Sequence, residues 1–310
     1  MPCRPFLLRS VLLLVCFAAA CSTITAVPGP EAERGLGVAE EALLAKDFDA
    51  AEDALDPLAD EACPRRLRDR RDFTLARMHF GRGDLWDAYL VLERFPDDHP
   101  HSDLRPQVGE MVWVIGKQLS ESDGGFLFFW SDRRAGRTAL EHLVSRHPDS
   151  PHGGEALPIL GDMAFDDADY VRAQERYRDV MLNYPDSEWF THAQYRFAMS
   201  VVASLEGPDY DLDRMEHATR ELRDFLARKP ENALAVAEAE TALARVLEWR
   251  ADRHLRIAAF YRRVGNEPGY RHHVQVAAGP EFASTPFAAA AQEALAAIRA
   301  ASAAPVGAKP

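Results

Sequence analysis

Small residues recur at intervals of twelve along this chain, and that interval decides what it can fold into. Gly161, Ala173 and Pro185 stand twelve apart in turn, as do Ala39 and Ala51, Ala76 and Ala88, Gly136 and Pro148, and Ala218 and Pro230. Between Ala164 and Ser187, the residues Tyr170, Ala173, Tyr177, Val180, Met181 and Tyr184 share one stripe of an α-helix. An alanine inside such a stripe lets a second helix come close while the tyrosines fill the space beside it. Pro185 ends the helix because it has no N–H for the next backbone bond, and Asp186 or Ser187 can cap the following helix. Upstream, Leu157, Leu160, Gly161 and Ala164 make the facing stripe. The repeating unit is a helix hairpin.

A small residue on each helix, bulky residues three or four away and a closing proline resemble the tetratricopeptide (TPR) pattern, at roughly five places. The expected fold is all-α, a right-handed α-solenoid of about five TPR-like hairpins. The first runs over Glu31–Leu58 with a turn at Lys46-Asp47, and the second over Arg66–Phe95 with a turn at Gly83-Asp84, closed by the loop Pro96–Asp103. The third joins Gln107–Leu119 to the helix before Pro148, and the fourth is the stretch described above. The fifth begins at Phe190 and carries a longer connection before Arg214. A long helix from Ala233, a less regular segment from Val264 to Pro286 and a last helix from Phe287 to about Ala301 follow. Residues 31–150 and 151–302 are read as N-terminal and C-terminal hairpin groups, and 303–310 as a disordered tail.

The first twenty residues stand apart. Arg4 and Arg9 precede the short apolar run Val11–Ala20, too short to cross a bilayer and suited to a signal peptide. Ala18, Ala19 and Ala20 lead into Cys21, a resemblance to the bacterial lipobox, in which the cysteine is lipidated and becomes the mature N-terminus. Cleavage by ordinary signal peptidase is the competing reading. Residues 21–30 would then be a short tether. Cys63 would remain as the one cysteine beyond the lipidated one, a small half-buried residue after the first hairpin. The leader carries two arginines and no acid, so its loss takes the formal net charge from −13 to −15. So acidic a body repels nucleic-acid phosphates and anionic head groups, and membrane attachment falls to the lipid.

No motif for bond chemistry is present: no GxSxG, HExxH, P-loop or paired CxxC. His99 and His101 sit among prolines in a solvated loop, and His272-His273 has no metal-binding companion nearby in sequence. Neither a cofactor nor a metal is expected, and no enzymatic role. A hairpin stack offers a groove lined by its first helices. In the second hairpin, Arg70, Phe73, Arg77 and Phe80 point there, and in the first Glu33, Leu36, Glu40 and Leu43. Two arginines beside two phenylalanines suit an extended peptide with an aromatic side chain and a carboxylate. Alternatively, the phenylalanines fill the hairpin core and the arginines pair with nearby acids. The aromatic run Phe126, Leu127, Phe128, Phe129, Trp130 is either a connection tucked beneath the helices or an exposed patch that docks a partner.

The segment ARVLEWRADRHLRIAAFYRRVGNEPGY resembles part of the BamD-like outer-membrane assembly lipoproteins, at Ala251, Leu255, Ala258, Phe260, Tyr261, Arg263 and Gly265. The endings His147-Pro148-Asp149-Ser150 and Tyr184-Pro185-Asp186-Ser187 are similar to that family's, while His254 replaces a usual acid and Lys229-Pro230-Glu231-Asn232 a usual YPDS. The resemblance implies a scaffold tethered to the periplasmic face of the outer membrane. Its N-terminal hairpins would receive unfolded outer-membrane proteins, and its C-terminal hairpins the periplasmic domain of a β-barrel assembly protein. A generic TPR adaptor for envelope or cell-wall machinery is the alternative role.

Overall fold

A computed structural model describes residues 26–122, 125–127, 130–209 and 211–303. The chain divides into two compact units, Met1–Gly83 and Asp84–Pro310. The expected division after residue 150 thus falls inside the second unit. The expected signal peptide (1–20), Cys21 and residues 304–310 of the expected tail lie outside the described residues.

The first unit holds α1 (Gly29–Ala45), α2 (Phe48–Leu55) and α3 (Arg68–Arg82). Lys46 closes α1 in the left-handed region at φ 59°, and the Asp47 carboxylate accepts a hydrogen bond from the Ala50 N–H at 3.1 Å to start α2. Ala39 and Ala51 are fully buried, as the twelve-residue interval requires. The sequence reading put Leu36 and Leu43 on a groove, but both are core residues, 0% and 9% exposed. They occupy the α1 face turned to α2 and α3, where apolar area is removed from water. Gly81 in α3 leaves room for the Phe48 ring, which would have to shift for a Cβ 2.3 Å away. Cys63 is fully buried rather than half-buried, packed with Leu36, Leu55 and Leu67, and burial pushes its thiol pKa up. The end of the segment expected to be a tether belongs to this unit too: the Val27 N–H donates to the Ala62 carbonyl at 2.9 Å, and the Val27 side chain packs on the same cluster.

The second unit runs through α4 (Leu85–Asp98), α5 (Arg105–Glu121), β1 (Gly125–Leu127), β2 (Trp130–Ser131), α6 (Asp132–Arg146), α7 (Gly153–Asp166), α8 (Tyr170–Asn183), α9 (Phe190–Ala203), α10 (Leu212–Ala227), α11 (Ala233–Arg263), α12 (Glu267–Ala277) and α13 (Ala288–Ala303). The expected second hairpin is therefore shared between units: α3 closes the first and α4 opens the second. Helix α4 continues past Pro96, with the His99 N–H reaching the Phe95 carbonyl at 2.9 Å. Successive helices pair α5 with α6, α7 with α8, α8 with α9, α9 with α10, α10 with α11 and α11 with α12. The fold is all-α apart from one antiparallel β-hairpin, where Gly125 pairs with Ser131 and Leu127 with Trp130.

Helices α5 and α6 cross with backbone against backbone. A Cβ on Gly136 would lie 2.4 Å from the Ser120 backbone N, and one on Gly116 would lie 2.9 Å from Leu140. In the next hairpin, Gly161 sits under the Tyr177 ring, 2.6 Å from where its Cβ would stand, and Tyr177 is fully buried. The α7–α8 turn repeats the chemistry of the first one: Ala168 takes φ 59° and Asp169 caps α8 through the Arg172 N–H at 3.2 Å.

The segment after Val264, expected to be irregular, contains α12. Gly265 at φ 74° and Asn266, capping through the Gly269 N–H at 3.0 Å, repeat the left-handed residue plus Asx pair seen at the earlier turns. Reading proline and glycine as breakers hid this helix, because Pro268 occupies its first turn, where a missing N–H costs nothing.

Gly136→Ala is expected to destabilise the second unit by about 1–3 kcal/mol, because backbone cannot yield as a side-chain tip can. Gly37→Ala, where a Cβ meets nothing within 4 Å, should be neutral or gain up to about 1 kcal/mol of helix propensity. Urea unfolding of the two variants checks the contrast.

Candidate functional site

Arg70, Phe73, Arg77 and Phe80 line one stripe of α3, all half-buried. Arg70 is already engaged: its Nε and Nη2 donate to the two carboxylate oxygens of Glu40 at 2.6 and 2.5 Å. Arg77 adds a weaker charge interaction with the same carboxylate, which these contacts hold below its ordinary pKa, the Arg70 hydrogen bond foremost. Glu33 pairs likewise with Arg66. The two phenylalanines are half-buried.

Of the other predicted residues, Phe126 lies in β1 and Trp130 in β2, joining α5 to α6. Phe128 and Phe129 lie outside the described residues.

The second unit brings together a polar seam that the sequence reading missed. It links the odd-numbered helices one to the next. Lys117 of α5 donates to Glu155 of α7 at 2.5 Å. Asp162 of α7 accepts from the Arg196 Nε of α9 at 2.8 Å and faces the His192 Nε2 at 3.1 Å. Tyr195 of α9 donates to Glu238 of α11. Near the start of the seam, Trp113 stacks on His152 with centroids 4.9 Å apart and planes 7° apart, and Glu110 holds the same imidazole at 2.9 Å.

Asp162 is the hub. The Tyr177 hydroxyl from α8 donates to its Oδ1 at 2.5 Å, so one carboxylate ties three helices. Burial alone would raise the Asp162 pKa, but hydrogen bonds from His192 and Tyr177 and the Arg196 charge outweigh it and hold the carboxyl below its ordinary value. Burial and the Asp162 charge push the Tyr177 phenol far up. The Arg196 guanidinium also covers the Phe165 ring at 4.0 Å. Lys117, Glu155, Asp162 and Arg196 each read as solvated charge in isolation. The signal was their placement on first helices, visible only once inter-helix register is known.

A second cluster lies where α11 meets α12. His254, noted in sequence as replacing an acid, is 9% exposed, and its Nδ1 is 2.9 Å from the Nδ1 of His273. One ring must donate and the other accept, so the contact needs at least one neutral imidazole. Burial, then His273, Arg250 and His272, bring the His254 pKa down to about 4. The neighbouring Arg250, 7% exposed, pairs with Glu281 at 3.0 Å and lies over the Phe282 ring. The histidine pair that looked isolated in sequence therefore has its partner on the preceding helix.

These groups hold helices together. Residues 130–268 match the family model YfiO, "Outer membrane lipoprotein", the BamD family. The matched span runs from β2 into the first turn of α12 and contains the FYRR segment on which the resemblance rested. No curated protein matches the chain. Among solved structures the chain is similar to a tetratricopeptide repeat protein from Parabacteroides merdae, with 12% identity, 86% of this chain and 98% of that one covered, and a TM-score of 0.37. It is also similar to the TPR domain of P58(IPK), with 16% identity, coverage of 87% and 67%, and a TM-score of 0.29. A third is the TPR2AB domain of yeast Sti1 in its complex with pHSP90, with 13% identity, coverage of 87% and 98%, and a TM-score of 0.24.

Asp162→Ala should cost about 1–3 kcal/mol in urea unfolding, since it leaves the buried Tyr177 hydroxyl without its acceptor. Adding Tyr177→Phe should recover part of that loss, as both ends of the bond are then gone. His254 and His273 are neutral in the folded chain at pH values where the unfolded chain protonates them, their ordinary value being 6.5. Their stabilisation is complete above that value and is lost as pH falls, for His254 down to about 4. Urea midpoints should drop over this window, with a shallower slope in His254→Phe.

Proposed function

We propose that the chain is a lipid-anchored periplasmic TPR scaffold of outer-membrane β-barrel assembly, holding other polypeptides and carrying out no bond chemistry. The observation that carries this reading is the match of residues 130–268 to an outer membrane lipoprotein family. Paired helices with small residues at their crossings support it, because such stacks present long faces to polypeptides. Ala18-Ala19-Ala20 before Cys21 supports attachment through an N-terminal lipid. In this reading the first unit, with Arg77, Phe73 and Phe80, receives unfolded outer-membrane proteins. The later helices of the second unit dock the periplasmic domain of a β-barrel assembly protein.

A second reading, an adaptor lipoprotein for other envelope or cell-wall machinery, is favoured by one fact. The matched span begins at residue 130, so the first unit and its candidate groove have no counterpart in it.

In-cell photocrosslinking from Phe73 and from an exposed α12 position separates the two. The assembly role predicts capture of unfolded outer-membrane proteins at the first position and of a β-barrel assembly protein at the second. Capture of cell-wall enzymes alone would replace it with the adaptor role. Cys21→Ser should move the chain from the membrane fraction to the soluble periplasm.

A further inference from the structure

The loop from α6 to α7 and the first turns of α5 enclose a cavity of about 190 Å³ in the second unit. Its walls include Pro106, Pro148, Pro151 and Gly109, which are apolar and rigid. One wall residue, His147, is 8% exposed. Its Nε2 is sealed from solvent with no hydrogen-bond partner, while its Nδ1, which no described residue bonds, is not sealed. The sealed Nε2 forfeits about 1–3 kcal/mol in this way, whereas the Nδ1 is left within reach of a hydroxyl group. The Nδ1 edge runs along Gly109, where a Cβ would stand 3.3 Å from that nitrogen.

The other polar groups around the cavity are engaged or open to water. Glu110 holds His152, the Arg105 guanidinium donates to the Pro100 carbonyl at 3.1 Å, and the Ser150 hydroxyl accepts from the His152 N–H at 3.3 Å. Asp149 is exposed. What the cavity lacks is therefore small and specific: a flat apolar body with one neutral hydrogen-bonding tip.

We propose that this cavity is a pocket for the side chain of a tyrosine in a bound polypeptide, its hydroxyl meeting the Nδ1 of His147. Size agrees, since an apolar cavity of about 150 Å³ already holds benzene. Three prolines offer faces for the ring, and a phenol is apolar along its body and polar at one end. A neutral imidazole presents either a donor or an acceptor at Nδ1, and a hydroxyl satisfies both tautomers, whereas an indole N–H can only donate. An aliphatic side chain would leave the nitrogen unmet. A carboxylate would find no free buried cation. Burial keeps His147 neutral, with a pKa brought down to about 4. The proposal rests on the reading of the chain as a polypeptide-binding scaffold and adds the side chain it selects.

The test is ¹⁹F NMR titration of the full chain with 4-fluorophenol and with fluorobenzene. The native protein should prefer the phenol about fivefold, the ratio that one neutral hydrogen bond supplies. His147→Phe keeps the ring volume and should bring the ratio to about one. Should that variant fail to fold, Gly109→Ala sets a methyl against Nδ1 and should weaken the phenol selectively. Equal binding of the two probes by the native protein, or a preference that survives His147→Phe, overturns the proposal. A Gly/Ser 15-mer with one central tyrosine should bind better than its phenylalanine twin, and no preference between them also overturns it. A retained tyrosine preference without any periplasmic crosslinks fells the scaffold reading instead and leaves the pocket standing.

Discussion

Backbone meeting backbone at Gly136 and Ser120 is the contact on which the second unit depends. Two helices approach that closely only where one lacks a side chain, and the short distance brings the flanking Leu140 and Leu143 into full burial. Dispersion falls off steeply with separation, so a crossing opened by one methyl loses contacts along its whole length. The twelve-residue interval is the linear trace of this constraint. It places one small residue at the crossing of each helix and leaves the residues three and four away to interlock.

Apolar crossings bring helices together but leave the relative height of one hairpin against the next loosely defined, because methyl groups can slide. The polar seam through Lys117, Glu155, Asp162, Arg196, Tyr195 and Glu238 supplies that definition. A carboxylate with three directed partners has one satisfied arrangement, and a slip of one residue would break all three bonds. Asp162 spans α7, α8 and α9, so it couples two hairpins where each apolar crossing couples only one. The first unit has the same device in Glu33 with Arg66 and Glu40 with Arg70, linking α1 to the segment that carries α3.

Periodicity in the sequence gave access to whatever depends on local geometry. Ala39, Ala51, Ala76, Ala88, Gly136, Ala173, Ala198 and Ala218 are all buried at crossings, and the stop at Pro185 follows α8 as expected. What escaped depends on register between helices. Leu36 and Leu43 were assigned to a groove because a stripe on one helix does not say which neighbour covers it. Asp162 and Lys117 looked like surface charge because their partners lie 34 and 38 residues away. Helix α12 was hidden because Gly265, Asn266 and Pro268 read as punctuation, when together they write the start of a helix. The family resemblance came from residues on α11 and the turn after it, and the later match covers them.

The docking of Val27 bears on how the chain would stand at a membrane. With a lipid on Cys21, only six residue steps separate the anchor from a backbone bonded to Ala62. Fully drawn out, six steps reach about 20 Å. The first unit would then ride on a leash shorter than its own helix α1, held near head-group level instead of roaming the gap beneath the cell wall. Such a leash would cap the distance between the first unit and the lipid.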